Sequence, residues 1–129
     1  MSELMGVSHI SLSVKDRDAS VRWYTEVLGF KEFATMDEER WLRTVCLHDS
    51  LAIVGFTQHL DVREDDFDHR RVGIDHVAFA VPSRAALDAW ARRFEQFGVT
   101  YSSVVESPFG AVLSFRDPDG IALELFAME

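Results

Sequence analysis

The chain has 129 residues, of which 47% are hydrophobic, and its 13 basic and 22 acidic side chains give a formal charge of −9. This excess of negative charge argues against nucleic acids and anionic membranes as partners. No apolar run approaches the roughly 20 residues that a membrane span needs, and Cys46, the only cysteine, cannot form an internal disulfide. We therefore expect one compact domain in the reducing cytoplasm, without an export signal.

The first half of the chain predicts a strand, a helix and three further strands. Residues 6–14 alternate apolar and polar side chains, which is typical of a half-buried strand. Asp16 is suited to cap a helix over residues 17–28, which Gly29 ends. The helix is followed by strands near residues 30–36, 40–48 and 51–58. Together these elements form a βαβββ module over residues 1–59.

The second half of the chain repeats the first. Ser8–Val14 aligns with Asp75–Val81 at a constant offset of 67 residues, and the same offset pairs Trp23 with Trp90. Identity between the two copies is low, but the order of elements is the same. The polar residues 60–72 form a linker between the copies.

The second module covers residues 73–129. It is predicted to begin with a strand over residues 73–81, followed by Ser83 as the cap of a helix over residues 84–97. Three strands complete it, near residues 99–105, 110–116 and 121–127. The predicted fold class is α+β: two tandem βαβββ modules whose curved antiparallel sheets carry the helices on one side.

Side chains alternate across a strand, so position along the strand decides which residues share a face. In the first strand of each module the apolar residues fall on one side, and His9 or His76 falls on the other. In the last strand Glu124 interrupts an apolar run whose other members include Leu123 and Leu125. Because the apolar faces should pack under the helices, we expect His9, His76 and Glu124 on the open, concave surfaces.

Two imidazoles and one carboxylate form a ligand set that binds iron or a similar divalent metal and leaves coordination positions open. A carboxylate taken from water without a partner costs several kcal/mol, so Glu124 should be paired or bound to metal. The sequence therefore predicts one divalent ion per site, Fe2+, Mn2+, Zn2+ or Ni2+, held by His9, His76 and Glu124. The alternative is a hydrogen-bonded Glu–His core without metal.

These features resemble the vicinal oxygen chelate superfamily, which includes glyoxalase I, extradiol dioxygenases, methylmalonyl-CoA epimerase, fosfomycin-modifying enzymes and bleomycin-binding proteins. The resemblance rests on the His9 strand, the Trp23–Phe30 segment, the His76 strand and the Asp117–Gly120 turn before Leu123–Leu125. It covers nearly the whole chain. It implies two modules that enclose a cavity around a metal, and a homodimer.

One family feature is missing from the first module. Relatives with four protein ligands, such as glyoxalase I, carry a Glu or Gln on the fourth strand of the first module. Aligning Asp49–Ser50 with Asp119–Gly120 puts Val54 at the position that matches Glu124. A fourth protein ligand is therefore not expected there, which argues against glyoxalase I or epimerase chemistry.

No catalytic acid or base stands out in the sequence. The weak candidates are Gln58, which has the same parity as Val54, then His59, which follows it, and Ser11, which shares the face of His9. We expect Gln58 and His59 to contact the ligands or the substrate rather than the metal.

The ligand set favours a metal-dependent enzyme that acts on a small oxygenated substrate chelated through adjacent oxygens, by dioxygenase or by lyase or isomerase chemistry. His/His/Glu resembles the extradiol dioxygenases and the fosfomycin thiol transferases. No Lys or Arg follows Glu124, which argues against the phosphonate-binding groups of the latter. The alternative, from another class, is a metal-free drug-binding protein of the bleomycin-binding type.

Overall fold

The computed structural model describes residues 2–128 and divides the chain into two compact units, residues 1–64 and 65–129. The boundary lies inside the segment that the sequence marks as a linker, residues 60–72. Each unit holds one four-stranded sheet, which confirms the predicted α+β fold class with its repeated βαβββ order. Neither helix within residues 2–128 has the length and apolar character that crossing a membrane requires.

Unit 1, residues 1–64, contains one helix and four strands. They are β1 (Ile10–Ser13), α1 (Arg17–Trp23) with a π-helical continuation (Tyr24–Leu28), β2 (Lys31–Asp37), β3 (Trp41–Leu47) and β4 (Ile53–His59). The strands lie in the order β1-β4-β3-β2.

Unit 2, residues 65–129, contains the same elements. They are β5 (Val77–Val81), α2 (Arg84–Phe97), β6 (Val105–Ser107), β7 (Gly110–Arg116) and β8 (Ala122–Ala127). The strand order β5-β8-β7-β6 repeats that of unit 1.

The sheets are mixed rather than antiparallel throughout, which corrects one detail of the predicted fold. β1 pairs with β4 in parallel, and β5 pairs with β8 in parallel, while the other strands pair antiparallel. The helix returns the chain to the end from which the first strand started, so the second strand runs in the direction of the first. Two hairpin reversals then restore that direction in the last strand.

Three strands are shorter than the sequence predicts. β1 and β5 begin at Ile10 and Val77, so His9 and His76 each stand immediately before a first strand. The strand expected near residues 99–105 is wrong for most of its length, because only an isolated bridge from Tyr101 to Phe115 precedes β6. The Tyr101 hydroxyl donates a hydrogen bond to Glu95 of α2, so this stretch contacts the helix before the chain enters β6 at the sheet edge.

The predicted helix boundaries are confirmed by their caps. Asp16 Oδ1 accepts a hydrogen bond from the Ala19 amide at 3.0 Å, and Ser83 Oγ accepts one from the Ala86 amide at 3.2 Å. Gly29 follows the first helix with φ of 85°, a left-handed conformation that glycine adopts without steric cost.

Each helix packs on one face of its own sheet. In unit 1 the buried rings of Tyr24 and Phe56 meet with centroids 4.5 Å apart, and in unit 2 those of Phe94 and Phe115 do so at 4.5 Å. Because the helices cover these faces, the opposite face of each sheet is the one available to a ligand.

Candidate metal centre

The uncovered face of unit 1 begins at His9. Along β1 the burial alternates, with Leu12 buried and Ser11 exposed, and His9 is exposed on the side of Ser11. The ring Nδ1 of His9 lies 3.0 Å from Ser8 Oγ. Its Nε2 points away from that contact by the geometry of the ring, and this is the atom that we consider as a ligand.

A polar network occupies the same face of unit 1. Thr57 Oγ1 lies 3.3 Å from Ser11 Oγ and accepts a hydrogen bond from Arg43 Nε at 2.8 Å. The Arg43 guanidinium stacks on Trp41, 4.1 Å from the ring centroid. These contacts hold the positively charged Arg43 side chain beside the hydroxyl groups of Ser11 and Thr57. His59, which has the parity of Thr57 on β4, belongs to this face.

The uncovered face of unit 2 brings two of the three predicted ligands together. Along β8 the apolar Leu123 and Leu125 are buried, and Glu124 lies between them on the other side with 25% of its side chain exposed. His76 Nε2 stands 3.4 Å from Glu124 Oε1. The carboxylate that interrupts the apolar strand therefore has the partner that its burial requires.

Asp75 orients His76. Its carboxylate accepts a hydrogen bond from His76 Nδ1 at 2.7 Å, which leaves Nε2 directed at Glu124. This bond raises the pKa of His76, partial burial lowers that pKa, and the negative charges of Glu124 and Asp75 raise it further. The same hydrogen bond lowers the pKa of Asp75. A carboxylate behind a histidine is a frequent way of fixing the ring of a metal ligand.

A cavity of about 210 Å³ opens beside this pair within unit 2. His76, Glu124 and Asp75 line it together with three residues that no sequence pattern marks as functional, namely His69, Ser114 and Arg116. Ser114 and Arg116 could have been found from strand parity, because β7 lies beside β8 and Ser114 pairs with Glu124. His69 comes from the segment before β5, where no periodic pattern predicts a position.

The geometry of the His76–Glu124 pair fits a metal ion. Two atoms that each bind one ion at about 2.1 Å, at an angle of about 90–110°, lie roughly 3.0–3.4 Å apart. The Nε2–Oε1 distance of 3.4 Å falls at the end of that range. Imidazole nitrogen and carboxylate oxygen are both donors that Fe2+, Mn2+ and Zn2+ accept.

The third predicted ligand belongs to the other unit. Within residues 2–128, no three His, Cys, Asp or Glu side chains form a group that could hold a metal ion. His9 lies in unit 1, whereas His76 and Glu124 lie in unit 2. That His9 completes the site stays a prediction. Cys46 is fully buried, and burial raises the pKa of its thiol to about 11, so it offers no thiolate.

Strand register corrects the position that matches Glu124 in unit 1. Glu124 pairs with Ala78 of β5, and Gly55 pairs with the equivalent Ser11 of β1. Gly55, and not Val54, is therefore the counterpart of Glu124, while Val54 is buried in the core. A Cβ atom at Gly55 would lie 3.3 Å from Ser11 Oγ, so the expectation that β4 supplies no fourth ligand is unchanged.

Gln58 lies on the helix side of unit 1. Its Oε1 accepts a hydrogen bond from the Arg17 amide at 2.9 Å, at the first turn of α1. Gln58 shares the parity of Val54, as the sequence predicts, but that parity directs it to the covered face rather than to the face of His9. Of the three weak candidates, only Ser11 and His59 lie on the uncovered face.

Comparison with known proteins defines the class. Residues 6–125 match the family model of the Glyoxalase/Bleomycin resistance protein/Dioxygenase superfamily, and the chain belongs to this superfamily. This confirms the resemblance seen in the sequence. A glyoxylase/bleomycin resistance protein/dioxygenase domain from Frankia sp. EAN1pec has 37% identity and a TM-score of 0.92, with 98% of this chain and 100% of that chain covered.

Two curated relatives have different activities. The chain is 31% identical to the glutathione transferase FosA of Serratia marcescens, over 95% of this chain and 80% of that protein. It is 29% identical to the putative ring-cleaving dioxygenase MhqA of Bacillus subtilis, over 93% of this chain but only 39% of that protein. The chain thus spans about two fifths of the dioxygenase.

A more distant neighbour shares the fold. A mutant of the fosfomycin resistance protein FosX of Listeria monocytogenes, solved with Mn(II) and 1S,2S-dihydroxypropylphosphonic acid, has 22% identity and a TM-score of 0.74, with 98% of this chain and 93% of that chain covered.

Proposed function

We propose that this protein is a metal-dependent enzyme that binds one divalent ion through His9, His76 and Glu124 and acts on a small substrate through two adjacent oxygens. The observation that carries the proposal is the 3.4 Å approach of His76 Nε2 to Glu124 Oε1 beside an open cavity. A metal bound there would supply Lewis acidity to the substrate oxygens. Fe2+, Mn2+, Zn2+ and Ni2+ are the candidates, and Mn(II) is present in the FosX complex.

The residues around the site have separate tasks in this proposal. Asp75 holds the His76 ring in one orientation, and Glu124 brings a negative charge that offsets part of the charge of the metal. Gly55 leaves the β4 position without a ligand group, so coordination positions remain for substrate. On the face of unit 1, the Ser11 and Thr57 hydroxyls can hydrogen-bond a polar substrate.

The reaction is proposed at the level of a class. Ring-cleaving dioxygenase chemistry is supported by the likeness to MhqA, and lyase or isomerase chemistry uses the same chelation of two oxygens. We propose that the two units form one domain and that the protein is cytoplasmic. We also propose that it works as a homodimer, because β1 and β5 lie at the edges of their sheets.

The test is a metal analysis of protein purified without chelator. The wild-type protein should contain one divalent ion per site, and Glu124→Ala should lose most of it. Glu106→Ala is the matched control, because Glu106 is also a carboxylate of unit 2 but pairs with Arg84 at 3.5 Å, away from the cavity. Full metal occupancy in Glu124→Ala would show that the ligand assignment is wrong. A metal-free wild-type protein would favour the drug-binding alternative.

A further inference from the structure

Arg116 lies on the same face of unit 2 as Glu124. β7 and β8 pair antiparallel, with Ser114 opposite Glu124 and Arg116 opposite Ala122. Arg116 and Glu124 are therefore diagonal neighbours on one face, whose Cα atoms are about 7–8 Å apart in such a pair. Arg116 lines the cavity of about 210 Å³ that holds His76 and Glu124.

The guanidinium of Arg116 is held in place without a carboxylate. Its Nη1 donates to the Gly120 carbonyl at 2.9 Å, and it stands 5.9 Å from the Phe67 ring centroid. In a neighbouring cavity that Arg116 also lines, Arg70 pairs with Asp68 and Arg71 with Asp65. No carboxylate within residues 2–128 forms an ion pair with Arg116, although acidic residues outnumber basic ones by 22 to 13.

An anionic ligand needs such a fixed cation here. The chain carries a formal charge of −9, so its overall field repels anions, and Asp75 and Glu124 add two carboxylates to the cavity. A guanidinium presents its donors in a planar fork that matches a carboxylate, and Nη2 and Nε of Arg116 donate to no group within residues 2–128.

We propose that the substrate of this site carries an anionic group, a carboxylate, and that Arg116 binds it while two adjacent oxygens of the same molecule occupy the metal. The inference rests on the proposed function for the chelating half of the substrate. Glu124 and Arg116 line one cavity of about 210 Å³, so a single small molecule can reach both. A small dihydroxy aromatic acid carries a chelating pair of oxygens and a carboxylate on one ring.

A purely structural role for Arg116 makes a different prediction. Through its bond to Gly120, Arg116 also braces the turn between β7 and β8. A residue that only stabilises this turn affects the affinity for every ligand equally, because it acts through the position of β8. A recognition residue affects only the ligand that carries the anionic group.

The experiment compares two ligands that differ only in the carboxylate. Protein loaded with Mn(II) is titrated by calorimetry, under nitrogen, with catechol and with 3,4-dihydroxybenzoate. The wild-type protein should bind the acid about tenfold more tightly or better, as a charge-assisted hydrogen-bonded contact does. Arg116→Gln should abolish this preference and leave catechol affinity unchanged, and Arg116→Lys should keep part of it. Arg84→Gln, which removes a cation paired with Asp88 outside the cavity, should change neither affinity.

The possible outcomes distinguish the inference from the proposed function. Equal affinity of the wild-type protein for the two ligands would overturn the anionic substrate and leave the metal site standing. If Arg116→Gln binds both ligands equally more weakly and has a lowered melting temperature, Arg116 only stabilises the turn, and its role in recognition is overturned. Failure of the metal-loaded protein to bind either ligand would overturn the proposed function and this inference with it.

Discussion

Units 1 and 2 build the same sheet with different core residues. In unit 1 the large ring beneath the helix comes from Phe56 of β4, and β3 contributes the small Cys46, which pairs with Val54. In unit 2 the ring comes from Phe115 of β7, at the position equivalent to Cys46, and β8 contributes leucines. The core volume is thus filled from opposite strands, because packing requires a total volume rather than particular residues.

The uncovered faces of the two units differ more than the cores. Beside β1, unit 1 has the hydroxyls of Ser11 and Thr57 and the small Gly55, whereas the equivalent face of unit 2 has the small Ala78 and the charged Glu124. No packing against a helix restricts these positions. The repeat therefore determines where a functional residue can stand, and each unit fills those positions independently.

The largest expected effect concerns whether His9 and His76 are equivalent metal ligands. His9→Ala, like Glu124→Ala, should lose most of the metal, whereas His48→Ala should not, because His48 hydrogen-bonds Ser50 in the β3–β4 turn. Metal content of the purified variants, measured by elemental analysis, decides this. Full occupancy in His9→Ala would show that unit 1 supplies no ligand.

A mixed dimer of these variants sharpens the same test. Chains carrying His9→Ala and chains carrying Glu124→Ala, co-expressed with two different tags, should yield one intact site per dimer if each site combines His9 of one chain with His76 and Glu124 of its partner. They should yield no intact site if each chain forms its own. Sedimentation of the wild-type protein as a single species of 14.7 kDa would contradict the dimer itself.

Removal of the core rings should destabilise both units to a similar extent. Phe56→Ala and Phe94→Ala each remove a fully buried ring, and each should lower the free energy of unfolding by about 3–5 kcal/mol. If the two units form one cooperative domain, each variant should unfold in a single transition at a lower urea midpoint. A second, unshifted transition would show that the units unfold separately.

Asp75 should matter for metal affinity rather than for folding. Asp75→Ala removes the acceptor of His76 Nδ1 and should weaken metal binding by about 10–100-fold, measured by competition with a chelator. Asp75→Asn keeps an acceptor oxygen and should lose less. An unchanged affinity in Asp75→Ala would show that the His76 ring is oriented without this carboxylate.

The smallest expected effect concerns the two hairpin turns. Leu51 has a φ of 75°, at the position where unit 2 has Gly120 with a φ of 78°. A left-handed conformation costs a residue with a side chain about 1–2 kcal/mol, and Leu51 is 87% exposed, so it loses little packing when it is replaced. Leu51→Gly should raise the free energy of unfolding by about 0.5–1 kcal/mol. This net value is smaller than the relieved strain, because glycine also increases the conformational entropy of the unfolded chain.

Gly120→Ala is the reciprocal change, and it should lower the free energy of unfolding by about 1 kcal/mol. Thermal denaturation of the two variants beside the wild-type protein provides the comparison. If Leu51→Gly is less stable than the wild-type protein, the strain at Leu51 is not the dominant contribution at this turn.

The repeat, the helix caps and the parity of the strands can be predicted from the amino-acid sequence alone. Asp16 and Ser83 cap their helices as their residue types predict, because a short oxygen side chain satisfies the first amides. Glu124 lies on the other face of β8 from Leu123 and Leu125, because successive side chains of a strand point to opposite faces of the sheet whatever its surroundings. These are local properties, and local properties can be read from a short stretch of chain.

Contacts that depend on register and on side-chain orientation could not be predicted from the sequence. Matching the turns by residue type shifts the alignment by one position, because Leu51 adopts the conformation for which a glycine is expected. The sequence therefore predicts Val54 as the counterpart of Glu124, where the register places Gly55. The hydrogen bond from His76 to Asp75 depends on two side-chain rotations. The place of Arg116 beside Glu124 depends on how β7 pairs with β8, which no single segment of the chain specifies.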